Sequence, residues 1–513
     1  MIKTHMMTWL MVAGGFTGLF LLLALANRLS TPSAPPTTLL AVRSLRLGDK
    51  AAFGVVALVY PLLLLALDRF WGATLLGVGL IILLWAGNRL KVAILSEALV
   101  FSDVFLAGHA LRYPRLYFGY APGWVWPLLI VALGVGGWGL SIEAPLGILD
   151  GWGRSGLIAG AFLVFLLVGR RLSRPSRRIR ERLGRFALSF DAQTDVWAYT
   201  PLGAALLHLL WHGQYRERLR ERFTLKAESD RESTVSEKPL PHRLLIQAES
   251  FVPLHQLTAR ASCTPTIDRL MAQASSGALL LDWRGAYTMR TEFAVLTGIA
   301  PRELETYGFD PYRLAAMRPM QSMAWKMKKQ GYRTVVCHPN DGRFFERCRV
   351  MKHLGFDELI DLQVLRRRWP SMADASAYCG RYIHDKALLT WAADYLRAQT
   401  TPTFLFVITM EAHGPWDKSK FPGAQKLTEE ERYETHLGHL DEGVSALVKA
   451  QEAGLRASVL MYGDHLPGLR LLRERKPPTA SSTCWVAWGG EGAARGGQAE
   501  RRNLRPEALS RFL

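Results

Sequence analysis

A chain of 513 residues with a net charge of +19 and 49% hydrophobic residues is too long and too apolar for one small soluble domain. The basic residues lie beside apolar runs and no zinc-finger spacing or RNA-binding aromatic motif is present, so the charge points to a membrane surface, not to nucleic acid. Cys263, Cys337, Cys348, Cys379 and Cys484 form no CxxC pair, and an odd count excludes a complete disulfide framework; Cys337 and Cys348 either pair or stay as free thiols.

Trp9 to Ala26 is almost wholly apolar and reads as an uncleaved membrane helix, because more apolar spans follow. Ala51 to Leu67 and Gly72 to Gly87 predict a helical hairpin broken at Asp68, Arg69 and Phe70. Lys91 to Tyr120 carries Glu97, Asp103, His109, Arg112 and Arg115, which are costly in hydrocarbon, so an interfacial or re-entrant helix is expected. Trp124 to Ile142 and Ser155 to Val168 are the next spans, with Trp124 and Trp126 as interface anchors.

A dense basic run follows: Arg170, Arg171, Arg174, Arg177, Arg178, Arg180, Arg182 and Arg185. The positive-inside rule places it in the cytoplasm, which requires Val196 to Trp211 to cross as a sixth span. The alternative has five spans, with Val196 to Trp211 flat on the surface as an amphipathic helix. Either topology exports the rest of the chain, so the expectation is a multi-pass protein of the inner (cytoplasmic) membrane with a periplasmic or other extracytoplasmic domain. The division is residues 1–211 for the membrane and interfacial helices, 212–241 for a linker, and 242–513 for a catalytic domain. Lys226 to Pro241 is polar, charged and aperiodic, as a linker should be.

From His242 the pattern becomes alternating. Strands are predicted at Arg243–Ala248, Ala278–Asp282, Arg333–Cys337, Thr403–Thr409, Ser458–Tyr462 and Cys484–Trp488. Helices are predicted at Thr266–Ser275, Thr291–Thr297, Met320–Gln330, Tyr378–Ala398 and Glu429–Gln451. This predicts an α/β domain with a mostly parallel sheet covered by helices, its ligands beyond the carboxyl ends of the strands. Little chain remains after Cys484–Trp488, so an edge element is expected to be missing there.

The strand ends carry the chemistry. Glu249 and Ser250 follow the first strand, Thr288 the second, His338 and Asn340 the third, Glu411 and His413 the fourth, Asp464 and His465 the fifth. An acidic residue after a strand is usually a turn former and a threonine before a helix is usually an N-cap; five such ends together argue for a site. Glu249, Asp464 and His465 with the Thr288 oxygen make a mixed O/N ligand set for one divalent cation, Mn²⁺ first, with Mg²⁺ or Zn²⁺ as alternatives. Such a cation would lower the pKa of the Thr288 hydroxyl, which sits at a helix N-terminus suited to an incoming phosphate.

QAESF, the Thr-x3-Glu-Phe of YTMRTEF and YGDH, in that order after a membrane bundle, resemble the lipoteichoic acid synthase and phosphoglycerol transferase branch of the alkaline phosphatase/sulfatase superfamily. The resemblance implies a sulfatase-like domain, Glu249, Thr288, Asp464 and His465 as metal ligands, and Thr288 as a nucleophile that becomes phosphorylated. It also implies His338, Asn340, Arg347 and His413 at the substrate, with Phe345 as a packing wall. The implied activity is transfer of phosphoglycerol from a phospholipid of the phosphatidylglycerol type to a cell-envelope glycan. The alternatives are a phosphoethanolamine transferase, a phosphoesterase of the same superfamily and a catalytically idle scaffold. No CxPxR-like motif is present, which argues against sulfate ester hydrolysis.

Overall fold

The structure is a computed structural model. It describes residues 2–30, 39–95, 97–104, 123, 125–147, 151–172, 186, 188–223, 240–283, 285–474, 481–490 and 500–513. The chain forms two compact units, Met1–Arg218 and Leu219–Leu513.

In the first unit, helices span Ile2–Leu29, Leu39–Leu67, Phe70–Leu95, Val125–Ile142, Gly151–Leu172 and Ala192–Phe223. Among the described residues three segments are long and apolar enough to cross a bilayer: Met6–Leu29, Leu47–Leu67 and Phe70–Val92. The predicted hairpin is present. Its turn is at Asp68, whose φ of 51° ends the helix, and Tyr60 and Thr74 share a hydrogen bond of 3.0 Å across it. The predicted fourth and fifth spans coincide with the Val125–Ile142 and Gly151–Leu172 helices.

Most of the predicted Lys91–Tyr120 segment, the basic run after Leu172 and most of the linker fall on residues 105–122, 173–185 and 224–239, outside the described ones. Where described, the charges of the first are paired: Lys91 Nζ lies 2.7 Å from Asp103 and 3.7 Å from Glu97. The Val196–Trp211 stretch lies inside the Ala192–Phe223 helix, which is broken at Thr200 (φ 61°, ψ 163°) just before Pro201. A break beside proline frees backbone groups that need partners. Asn27 supplies one: its Oδ1 accepts from the Leu202 backbone N–H at 3.0 Å, while its Nδ2 donates to the Thr200 side-chain Oγ1 at 2.9 Å.

The second unit is built on a seven-stranded sheet in the order β2-β9-β8-β1-β7-β3-β4. The strands are β1 (His242–Ala248), β2 (Ser275–Leu281), β3 (Arg333–His338), β4 (Glu358–Asp361), β7 (Thr403–Ile408), β8 (Ala457–Gly463) and β9 (Ser481–Trp488); β5 (Tyr378–Cys379) and β6 (Tyr382–Ile383) make a separate hairpin. Only β9 runs against its neighbours. The six parallel strands therefore open their carboxyl ends on one edge. The inner strands β1, β7 and β8 are buried along nearly their whole length, as apolar runs covered on both faces must be. Helices Pro265–Gln273, Asp385–Arg397 and Glu429–Glu452 supply Ile267, Leu388, Leu389, Leu396, Leu437 and Val444 to that core.

Two expectations are corrected. The Tyr378–Ala398 helix starts only at Asp385, because Gly380 turns left-handed (φ 59°) and folds the preceding residues into the β5–β6 hairpin. A Cβ at Gly380 would also lie 2.0 Å from the Lys420 carbonyl oxygen. The sheet edge beyond β2 is covered: Ser276 bridges Arg501 and Leu279 bridges Leu504. Gly277 permits this approach, since a Cβ there would lie 1.9 Å from Arg502 O. The choice left open at Cys337 and Cys348 falls to free thiols, Cys337 buried and Cys348 exposed with its Sγ on Gly342 O.

Candidate active site

Glu249, Asp464 and His465 are buried at the carboxyl ends of the adjacent strands β1 and β8, and one ligand atom of each lies within 4.8 Å of the others. Local backbone geometry sets this arrangement. Ser250 has φ 53°, a strained conformation for a non-glycine residue. Its N–H donates to Asp464 Oδ1 at 2.8 Å and its hydroxyl to Glu249 Oε1 at 2.9 Å. Asp464 Oδ1 also accepts from His465 N at 2.9 Å. Among the described residues Asp464 Oδ2 is buried with no hydrogen-bond partner.

His465 Nδ1 donates to Leu466 O at 3.1 Å, which leaves Nε2 facing Glu249 Oε1 and Asp464 Oδ2, each at 3.4 Å. A neutral ring would turn its lone pair on two carboxylates, so this cluster needs a proton or a cation at its centre. The protonation states show the same demand. Burial, then the Glu249 charge, push the Asp464 carboxyl up to about 7. Burial also opposes ionisation of Glu249, but the hydrogen bond and charge of His465 outweigh it and hold that carboxyl at about 2. Burial disfavours the His465 cation, yet Asp464 and Glu249 raise the ring to about 9. Two oxygen donors and one imidazole, with an orphaned carboxylate oxygen between them, fit a hard or borderline divalent cation.

A cation must displace the protons held there. Asp464 and His465 give theirs up at about 7 and about 9. Apparent metal affinity is therefore expected to climb as pH rises through that window and to drop in acid, with proton release on binding. Calorimetry in buffers of different ionisation enthalpy reads both; an affinity flat across the window would contradict this assignment.

Thr288 is half-buried and is the first residue of the Thr288–Thr297 helix. The N-cap is Tyr287, and no side chain caps this helix. The bland role of an N-cap is thus not the one Thr288 has. Its hydroxyl lies against the Asp464 carboxylate, where it draws that group's pKa down against burial. One turn on, Thr291 Oγ1 donates to Asp464 O at 2.6 Å, which pins the helix to the β8 end.

His338 closes β3 and is fully buried. Its Nε2 accepts from Arg347 at 3.1 Å, so a neutral ring carries its proton on Nδ1, which has no hydrogen-bond partner among the described residues. Burial first, then Arg347 and His413, hold it well below its ordinary pKa, so it is neutral. Arg347 is 2% exposed and not a solvated helix-face charge; its NH2 group donates to Glu292 at 2.9 Å and its Nε has no hydrogen-bond partner among the described residues. Glu292 also accepts from Gln247 and Tyr312. Asn340 is half-buried in the turn after β3, with its N–H on His338 O. Phe345 and Glu346 both have φ 54°, two consecutive strained residues that deliver Arg347 beneath the Phe345 ring, 5.8 Å away.

His413, after β7, donates Nδ1–H to Gly414 O at 2.7 Å and so keeps Nε2 as an acceptor. Burial pushes its pKa down, with Glu249 pulling the other way. The structure thus brings Glu249, Thr288, Asp464, His465, His338, Arg347 and His413 to the same sheet edge. Reading the sequence missed the network behind them: Gln247, Tyr312 and Tyr462, whose hydroxyl reaches Gln247. No spacing signal marks these residues, because their contacts span up to 215 positions.

The sulfatase family model matches residues 241–497. The chain is 26% identical over 432 residues to capsular polysaccharide biosynthesis protein RkpI of Rhizobium meliloti (strain 1021), covering 76% of this chain and 72% of that one. It is 27% identical over 146 residues to lipoteichoic acid synthase 1 of Bacillus subtilis (strain 168), covering 27% of this chain and 22% of that one. Among solved structures, Streptococcus pyogenes phosphoglycerol transferase GacH in complex with sn-glycerol-1-phosphate aligns over 57% of this chain and 76% of its own, with 20% identity and a TM-score of 0.41.

Proposed function

The chain belongs to the sulfatase family, and on that premise we propose that it is a membrane-bound phosphoglycerol transferase working through Thr288. The observation that carries this reading is an uncapped threonine hydroxyl at a helix start, set against a buried Glu249–Asp464–His465 cluster whose donor set fits a divalent cation. Glu249, Asp464 and His465 would hold the ion, Mn²⁺ first. When bound, it lowers the pKa of the threonine hydroxyl and screens the negative charge of the phosphate.

Thr288 Oγ attacks the phosphorus of a phosphatidylglycerol-type lipid. The Oγ–P bond forms, the bond to the diacylglycerol oxygen breaks, and the threonine proton ends on that oxygen. His413, with Nε2 open as an acceptor, is placed to relay protons, since Nδ1 is already committed to Gly414 O. An envelope-glycan hydroxyl oxygen then attacks the same phosphorus: the glycan O–P bond forms, the Thr288 Oγ–P bond breaks, and the glycan hydroxyl proton ends on Thr288 Oγ. We assign His338, Asn340 and Arg347 to the phosphate and head group. Tethering beside the bilayer on the periplasmic side raises the effective concentration of lipid donor.

The test offers phosphatidylglycerol and phosphatidylethanolamine, both radiolabelled in the head group, to the full-length protein with and without glycan. Diacylglycerol release from phosphatidylglycerol with label on the glycan is the expected result. Release from phosphatidylethanolamine alone overturns the head-group assignment. Free glycerol phosphate in equal yield with and without glycan makes the protein a hydrolase.

A further inference from the structure

A second group of ligand-bearing side chains lies beside the His413 loop. Cys379 ends β5, His384 precedes the Asp385–Arg397 helix, Glu411 follows β7, and His439 stands on the Glu429–Glu452 helix. One ligand atom from each lies within 4.8 Å of the other three. His384 Nδ1 and His439 Nδ1 are 3.1 Å apart. Both face Glu411 Oε1, His384 at 3.6 Å and His439 in direct contact. Two imidazole nitrogens this close oppose their lone pairs unless a proton or a cation lies between them. A single cation would satisfy both rings, the carboxylate and the thiolate together.

We propose that Cys379, His384, Glu411 and His439 bind one zinc ion, at a site separate from the Glu249–Asp464–His465 cluster. Sulfur, two nitrogens and one oxygen make a borderline-soft set, and four protein ligands fill a tetrahedral sphere, as in structural rather than catalytic zinc sites. The surrounding bonds hold the ligands in place. His436 Nδ1 lies 3.0 Å from Glu411 Oε1, and Asp385 N–H donates to Glu411 Oε2 at 2.6 Å. Such outer contacts orient a ligating carboxylate. The ion has a way in: His384 and His439, each 23% exposed, line a cleft of about 750 Å³ with Trp369, Lys386 and Glu442.

The ion would staple the β5–β6 hairpin, the end of β7 and two helices that are far apart in the chain. Glu411 lies two residues before His413, so the staple also fixes the segment that carries His413. This inference does not depend on the donor lipid or on which reaction Thr288 carries.

The experiment strips the full-length protein of metal in detergent and reloads it with Co²⁺. A thiolate-to-cobalt charge-transfer band in the near ultraviolet is expected for the wild type, because the Glu249–Asp464–His465 cluster contains no sulfur. The band should vanish in Cys379→Ser, persist in Glu249→Gln, and weaken in His439→Ala. Zinc bound after reloading with Zn²⁺ alone should fall by about one equivalent per chain in the Cys379 and His439 variants relative to the wild type. A wild type that takes up cobalt without a thiolate band overturns the proposal, and so does a band that survives Cys379→Ser. Should Cys379→Ser fail to fold, the wild-type spectrum and the His439→Ala metal count decide.

Discussion

Thr288→Ala is expected to abolish transfer while leaving folding and metal content intact. The two halves of this expectation have separate physical grounds. Thr288 is half-buried at the first position of its helix and caps nothing, and alanine is at least as good a helix former there, so stability should move little. Glu249, Asp464 and His465 remain to hold the ion. The covalent route, however, has lost its only nucleophile. Deleting a nucleophile costs roughly four orders of magnitude or more in rate, since water in the same site is a poor substitute. The checking measurements are diacylglycerol release and the intact mass of the protein after exposure to lipid. Wild type should gain an adduct of phosphoglycerol mass on Thr288, and Thr288→Ser should retain part of the activity. Diacylglycerol release by Thr288→Ala at the wild-type rate would remove Thr288 from the mechanism.

That expectation was largely legible in the sequence, and the reason is topological. In a parallel sheet every strand ends on the same edge, so residues just after predicted strands must converge even when more than 200 positions separate them. Glu249 and Asp464 follow β1 and β8, which pair in register along seven residues. What the sequence hid falls into two kinds. Short elements were missed because four residues such as Glu358–Asp361 carry too little periodicity to separate a strand from a loop. The side chains that brace the site were missed because their chemistry is ordinary taken singly. Gln247 and Tyr312 look like any core polar residues until the fold closes them on Glu292, and Tyr462 until its hydroxyl reaches Gln247. The Cys379, His384 and His439 group shows an intermediate case. His436 and His439 are three apart on one helix face, a visible ligand spacing. Of the pair only His439 is a proposed ligand, and Cys379 and His384 lie in a stretch that looked helical throughout, so the set could not be assembled.

Arg347 carries the second large effect, and here stability and activity are expected to fall together. Its guanidinium and the Glu292 carboxylate are both almost fully buried, 2% and 0% exposed, at 2.9 Å. Burial alone disfavours the charged guanidinium, but Glu292 outweighs that penalty and keeps it protonated. Arg347→Ala strands the Glu292 charge away from water, and losing one member of such a pair costs about 3–5 kcal/mol. It also removes the donor that fixes the His338 tautomer, so the ring at the substrate edge loses its orientation. Arg347→Lys keeps the charge but not the fork, and should recover only part of either loss. Pairing Arg347→Met with Glu292→Gln separates the two contributions. That double variant removes both charges, so it should regain much of the thermal stability lost in Arg347→Ala. Its transfer rate should stay low, because His338 still lacks its partner and the phosphate still lacks a guanidinium. If the double variant regained activity along with stability, Arg347 would be only a structural brace, and the phosphate contact would have to be assigned elsewhere on this edge.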